Sequence, residues 1–527
     1  MKPRTIDVYD TTLRDGAQRE GVSLACGDKL RIAQRLDELG VAFIEAGWPG
    51  SNPKDVAFFE RACDLDWQTS LIVAFGSTRR AEIHVENDAG LRALLGAKTK
   101  VCALFGKSST LHVERVLRTT REENLAMIEE SVAFLRAHGR RVVYDAEHFF
   151  DGFVLDRDYA LATLAAAVRG GAETIVLCDT NGGALPWQIE DAIAIVSAAI
   201  DRPLGVHAHD DGGCAVANSL AAVRAGARQV QGTINGYGER CGNANLCALI
   251  PDLELKLDLR ALPENKLQTL FEAAHFVAEI ANCALDEHMP YVGRSAFAHK
   301  GGVHVAAMRR DAKSYQHVDP GSVGNVMRVV VSELSGRGSV RSKAEELGVA
   351  IAEGDDLEVL GHIKEREAGG ASFEAAEASL ALMLKRQSPS YRAPFRLVDY
   401  SVMVGRRAHV GAYAEAMIKI AIGDDVVHTA AEGCGPVGAL DAALRKALEP
   451  IFPDVRAIQL TDYKVRILDG REGTSATTRV LIDSRDAHGA WSTVGASPNI
   501  IEASWGALAD GIEFGLMLAE ARRAEVA

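Results

Sequence analysis

Short apolar runs rich in β-branched residues recur through the first half of the chain: IDVY near Val8, AFIEAG near Ile44, LIVAF near Val73, KVCALF near Ala103, RVVYDA near Val143, TIVLCD near Val176, LGVHAH near Val206 and QVQGTI near Gln231. Between them lie segments with apolar residues at helical spacing, such as DKLRIAQRLDELG and ENLAMIEESVAFLRAHG. Strand followed by helix, repeated, predicts a parallel α/β fold. Eight such units over about 250 residues predict a (β/α)8 barrel. An open doubly wound sheet is the alternative, but it would gather its polar residues at one crevice. Here they cluster where each of several strands ends, in TTLRDG, EAGWPG, YDAEHF, CDTNGG, HAHDD and NGYGERCGN, which favours a closed ring.

After about residue 260 the strand signal stops, and NKLQTLFEAAHFVAEIANCAL and FEAAEASLALMLKRQ read as helices of a connector. A new pattern starts near Arg396. FRLVDYSVMV and AMIKIAI alternate like half-buried strands before the helical GPVGALDAALRKAL. YKVRILDG, TTRVLIDS and AWSTVGASPNIIEASWGALADGIEF repeat that order weakly. The expected architecture is a catalytic barrel over 1–260, helical accessory subdomains over 261–392, and an α+β C-terminal domain with two ββα-like repeats over 393–527.

A chain of 527 residues exceeds what one core serves and folds without staples. The nine cysteines, Cys26 to Cys434, form no C-x-x-C pair, which argues against a zinc ribbon, a redox motif or a secreted disulfide scaffold and points to a reducing cytoplasm. No apolar run approaches the roughly 20 residues of a membrane helix, so no membrane role is expected. The formal charge of −14 opposes an extended nucleic-acid footprint. Small anionic substrates therefore require a dedicated positive site.

The strongest chemical signal is His207-Ala208-His209, because residues i and i+2 of an extended segment share one side and both imidazoles can meet one cation. Asp15, at the first strand's end, opens on the same face of a closed barrel and completes a two-histidine, one-carboxylate set. Such N and O donors accept Mg2+, Mn2+ or Zn2+. Asp10, Glu45 and Asp179 also stand at strand ends. Arg14 offers a permanent guanidinium for a carboxylate or an oxyanion, with Glu45 as its bridge partner or an orienting group. Glu147 lies in YDAEHFF, where aromatic neighbours would raise a carboxyl pKa toward useful acid or base values. HKGGVH and SYQHVDP contribute His299, Lys300, His304 and Tyr315 as acid, base or thioester contacts, or as ordinary caps and turns.

Together DTTLRDG, HAHDD and GYGERCGNA resemble the DRE-TIM metallolyases, specifically the Claisen-condensing branch that holds the isopropylmalate, homocitrate and citramalate synthases. HKGGVHVAAM with SYQHVDPGSVGN is similar to that branch's accessory segment, and residues 395–520 to its regulatory domain. The resemblance implies a divalent metal held by Asp15, His207 and His209, with Asn243 bound directly or through water. It implies acetyl-CoA as co-substrate, Arg14 as the oxyanion and acceptor contact, and Thr180 on the acceptor's carboxylate. Glu147, His304 and Tyr315 are then the proton-transfer and supporting groups.

Gly16-Ala17-Gln18 departs from the DGEQ common among isopropylmalate and homocitrate synthases. With EAGWPGSNPKD and YDAEHFFDG, it favours the citramalate-forming group and pyruvate as acceptor. Tyr144 and Leu104, at the ends of the fifth and fourth strands, are expected to narrow the pocket around pyruvate's methyl group. For the C-terminal domain, the expectations are feedback inhibition by isoleucine, through helix N-termini after Gly435-Pro436 and Ser497-Pro498, and a homodimer.

Overall fold

A computed structural model describes residues 4–332, 335–346, 355–388, 391–409 and 411–526. Its first half is a closed barrel of eight parallel strands: β1 (Asp7–Asp10), β2 (Phe43–Gly47), β3 (Leu71–Ser77), β4 (Val101–Lys107), β5 (Arg141–Glu147), β6 (Thr174–Asp179), β7 (Leu204–Ala208) and β8 (Gln229–Gly232). Each falls on one of the eight apolar runs. Pairing of Val8 with Val230 closes the ring between β1 and β8.

Side chains alternate across the barrel wall, as period-two geometry requires. Tyr9, Phe43, Val73, Phe75, Val101, Ala103, Val143, Val176 and Cys178 fill the interior. Their neighbours, such as Val8, Ile44, Ala74, Cys102, Leu104, Tyr144 and Leu177, form the larger core beneath the helices. The helix Cys26–Leu39 shows the local logic: Leu30, Ile32, Ala33 and Leu36 face that core, and Gly40, at φ +95° where Pro263 leaves no room for a side chain, ends it.

The chain divides into two compact units, 1–297 with 317–327, and 298–316 with 328–527. The first reaches beyond residue 260 because the helix Leu270–Ile280 packs Leu270, Ala273, Ala274 and Val277 into the core outside the barrel.

In the second unit, the helix Gly302–Arg310 lies between the strands of a two-residue parallel pair (298–299 with 328–329), and the helices Arg337–Glu346, Asp355–Ala368 and Glu377–Arg386 follow. Two three-stranded antiparallel sheets follow. Arg396–Arg407, Gly411–Ile422 and Asp425–Gly433 lead to the helix Pro436–Leu448; Gln459–Ile467, Thr478–Arg485 and Ala490–Ser497 lead to the helix Ile500–Val526. Each repeat is thus βββα rather than ββα. In the first repeat the extra strand, Asp425–Gly433, has no fully buried residue, so its apolar signal is weak. Both repeats share one core that includes Ile418, Leu444, Ile482, Trp491 and Leu508. Arg386 donates to Asp510 and Glu513, tying the helix Glu377–Arg386 to the C-terminal helix. Among the described residues no helix is long and apolar enough to cross a membrane.

Candidate active site

The C-terminal ends of the strands enclose a cavity of about 190 Å3 lined by Arg14, Asp15, Glu147, Thr180, His207 and His209, all expected there, and by Trp48, Phe75, Phe105 and Asp145. On its floor Asp15 Oδ2 lies 3.3 Å from His207 Nε2 and 3.8 Å from His209 Nε2, and the two Nε2 atoms are 3.4 Å apart. Spacings of this order separate donors that each sit about 2.1 Å from one ion. All three residues are buried.

The sequence expectation missed what aims His207. Its Nδ1 is 2.9 Å from Gln231 Oε1, and Gln231 Nε2 donates to Asp145 Oδ1 at 3.1 Å. That orientation leaves Gln231 Oε1 as an acceptor, so His207 Nδ1 carries the hydrogen and Nε2 turns toward Asp15 and His209. Gln231 and Asp145 stand on inward positions of β8 and β5; polar side chains inside a barrel were the signal available.

Asn243 completes the cluster. Its Nδ2 donates to Asp15 Oδ2 at 3.2 Å while its Oδ1 is buried without a partner, and a half-turn of the amide brings that oxygen to the cluster. The residues present therefore fit a divalent cation: one carboxylate, two imidazoles and an amide oxygen with nothing else to bind.

Electrostatics support the same reading. Burial raises the Asp15 carboxyl, but Arg14 and the hydrogen bond with His207 outweigh it and hold Asp15 well below the usual carboxylate range. Burial, then the charge of His207, pushes the His209 imidazole down to about 4, so it is a neutral ligand near pH 7. Burial also lowers His207, yet its hydrogen bond to Asp15 prevails and raises it, so a bound cation takes the place of the proton shared there.

Arg14 Nε donates to Glu45 Oε1 at 2.6 Å, and its guanidinium lies 3.8 Å from the Phe75 ring centroid. Glu45, fully buried, also accepts from Tyr9 and Thr11. It is the bridge partner. Asp10 and Asp179 serve turns instead: Asp10 accepts from Thr12, and Asp179 from the amides of Gly183 and Ala184. Glu147 pairs with Lys107 rather than with aromatic rings, because Phe149 and Phe150 turn into the core beneath the helices.

Leu104 and Tyr144 require a correction. Both point outward into the layer under the helices, where Tyr144 is fully buried. The next residues on the same strands, Phe105 and Asp145, face the cavity. A one-residue error of facing reverses every side chain on a strand. The wall is aromatic: Phe75 and Phe105 stack at 5.1 Å, and Trp48 meets both edge-on at 5.7 and 5.4 Å. Trp48 is held from below, its backbone N–H donating to Asp55, which is buried in an ion pair with Lys29.

His304 and Tyr315 belong to the second unit, where their rings stack at 4.2 Å. At the helix starts expected for an effector, Ser497 Oγ already donates to Glu502 and accepts from the Asn499 amide.

The HMGL-like family matches residues 5–277, the homocitrate synthase post-HMGL domain-like family 291–370, and the LeuA allosteric (dimerisation) domain 374–516. An (R)-citramalate synthase of Synechocystis sp. is 52% identical over 537 residues, covering 98% of this chain and 97% of the relative. The (R)-citramalate synthase of Geobacter sulfurreducens is 49% identical over 98% of both chains. The chain belongs to the (R)-citramalate synthase family. A 2-isopropylmalate synthase of Methanocaldococcus jannaschii aligns over 97% of this chain and 94% of its own length at 30% identity. For a member of the (R)-citramalate synthase family, the cluster at Asp15, His207 and His209 is the candidate divalent-metal centre, and the aromatic-walled cavity beside it the candidate acceptor site.

Proposed function

We propose that the chain joins the methyl carbon of acetyl-CoA to the keto carbon of pyruvate. Hydrolysis of the thioester then releases citramalate and CoA, so that an acyl group becomes an alkyl one. The observation that carries this reading is the buried Asp15–His207–His209 cluster, which opens on a small aromatic-walled cavity beside a fixed guanidinium. A divalent ion held by Asp15, His207, His209 and Asn243 supplies Lewis-acid polarisation of a keto group when bound.

The protein's own groups do the rest. Arg14 presents a fixed positive charge where the keto oxygen becomes an alkoxide. Thr180 Oγ1 accepts the His148 amide hydrogen at 2.8 Å, so its own O–H is free to donate to the acceptor's carboxylate. Glu147 is the cavity's carboxylate for proton transfer, and His304 and Tyr315 keep the supporting roles that the family resemblance implies. Trp48, Phe75 and Phe105 give the acceptor's side chain an apolar wall.

A panel of pyruvate, 2-oxoisovalerate and 2-oxoglutarate with acetyl-CoA tests this reading. Pyruvate is expected to lead in kcat/KM by at least about tenfold, since each methylene in an apolar pocket contributes about 1–3 kcal/mol of discrimination. A lead for 2-oxoisovalerate would overturn it. Chelation should abolish turnover, with Mg2+, Mn2+ or Zn2+ restoring it.

For the C-terminal region we propose a cytoplasmic homodimer inhibited by isoleucine; the match to the LeuA allosteric (dimerisation) domain supports dimerisation and control by an effector. A chain ending near residue 390 is expected to lose isoleucine binding, measured by calorimetry beside the full chain. Binding persisting in the shortened chain would remove the domain's regulatory role.

A further inference from the structure

Beside the cavity lies a second cluster that the proposed chemistry does not use. His148 follows Glu147 directly, where β5 turns into the helix Phe149–Leu155, and it adopts φ +57° and ψ +32°. A left-handed conformation is uncommon outside glycine, and histidine is among the residues that adopt it more readily. Its ring lies flat against His112, with centroids 3.6 Å apart and planes 13° from parallel. His112 in turn begins a widened π turn, His112–Leu117, a rare form of helix that concentrates at functional sites. His148 Nδ1 is 3.7 Å from Asp151 Oδ2, and Nε2 is 4.0 Å from Glu147 Oε1. Asp151 also accepts from Asn181 at 2.7 Å. The loops after β4, β5 and β6 are thus braced by one pair of rings and one carboxylate.

The consequence is in the backbone. The backbone N–H of His148 donates to Thr180 Oγ1 at 2.8 Å, so the turn at residue 148 joins the end of β5 to the end of β6. That bond occupies a lone pair of the hydroxyl and turns its hydrogen away from His148. Glu147, the preceding residue, is oriented by the same turn and ion-paired with Lys107. Burial, then the neighbouring His148 and Lys107, holds the His112 imidazole below its ordinary range, which keeps charge repulsion out of the stack.

We propose that His148, braced by the ring of His112, is a positioning residue for the acceptor: it sets the Thr180 hydroxyl and the Glu147 carboxylate for a 2-oxo acid. This rests on the reading of Thr180 as the contact for the acceptor's carboxylate. Neither histidine touches substrate; both act through Thr180 and Glu147.

The test is pyruvate binding to the full Mn2+-loaded protein by calorimetry, beside steady-state KM and kcat. His148→Ala and His112→Ala are expected to weaken pyruvate binding about tenfold, the scale of one hydrogen bond to a charged group. Mn2+ affinity and the KM for acetyl-CoA should stay at wild-type values, while kcat at saturating pyruvate should fall because the Glu147 carboxylate is displaced as well. His112→Phe, which retains a flat ring, should restore binding. His112→Ala leaves the backbone at residue 148 intact and carries the test if His148→Ala does not fold. Wild-type pyruvate affinity in both alanine variants overturns the proposal alone. Parallel loss of pyruvate, acetyl-CoA and Mn2+ binding also overturns it, as general damage. A wild-type protein that binds no 2-oxo acid overturns the acceptor reading and this proposal with it.

Discussion

Replacing Asp15 with alanine is expected to abolish tight Mn2+ binding and to lower turnover by about a thousandfold or more, the scale expected when the Lewis acid of a polarised carbonyl is lost. Asp15 is 2% exposed and is the only carboxylate in the cluster. Its Oδ2 meets His207, His209 and the Asn243 amide together. Without it, two imidazoles and an amide face a cavity that also holds a guanidinium, and a dication bound there has no formal negative charge among its ligands. The fold should survive, because the buried bond between Arg14 and Glu45 does not involve Asp15. Far-UV circular dichroism and Mn2+ titration calorimetry separate the two effects. Normal Mn2+ affinity with full turnover in Asp15→Ala would sink the metal assignment.

That cluster was legible because its parts obey simple spacing. His207 and His209 are two apart in an extended segment, and Asp15 lies in the turn after the first strand, which pairs with the eighth, itself paired with the seventh, in a closed ring. The eight strands were legible for a related reason: β-branched runs, each bounded by polar turns. What escaped was the facing of individual residues. Strands of a parallel barrel are buried on both sides, so KVCALF and RVVYDA carry no apolar and polar alternation to say which of two neighbours looks inward. Leu104 and Tyr144 therefore read as wall residues, although Phe105 and Asp145 are the ones that line the cavity. Gln231 escaped because its role exists only through contacts with His207, 24 residues away, and Asp145, 86 away. Likewise, the left-handed turn at His148 belongs to a backbone angle that the apolar and polar pattern does not announce.

Arg14→Met is expected to fail twice, in stability and in catalysis. The Arg14 side chain is 14% exposed and that of Glu45 is fully buried, so removing the guanidinium strands a carboxylate inside the barrel. Breaking one partner of such a pair costs about 3–5 kcal/mol. The hydrogen bonds from Tyr9 at 2.5 Å and Thr11 at 2.7 Å offset part of that. Turnover should fall by about 100-fold to 1000-fold, as when one preorganised donor to a developing oxyanion is lost. The double variant Arg14→Met/Glu45→Gln distinguishes the two roles, because a neutral amide at residue 45 no longer needs a cation. Its melting temperature should recover much of the loss while its turnover stays low. Arg14→Lys keeps the charge but not the planar fork that spans Glu45 and lies over Phe75, and should fall between wild type and Arg14→Met. Recovery of turnover along with stability in the double variant would make Arg14 a counterion for Glu45 and nothing more. Low turnover in a protein as stable as wild type would leave the guanidinium acting on the reacting oxygen.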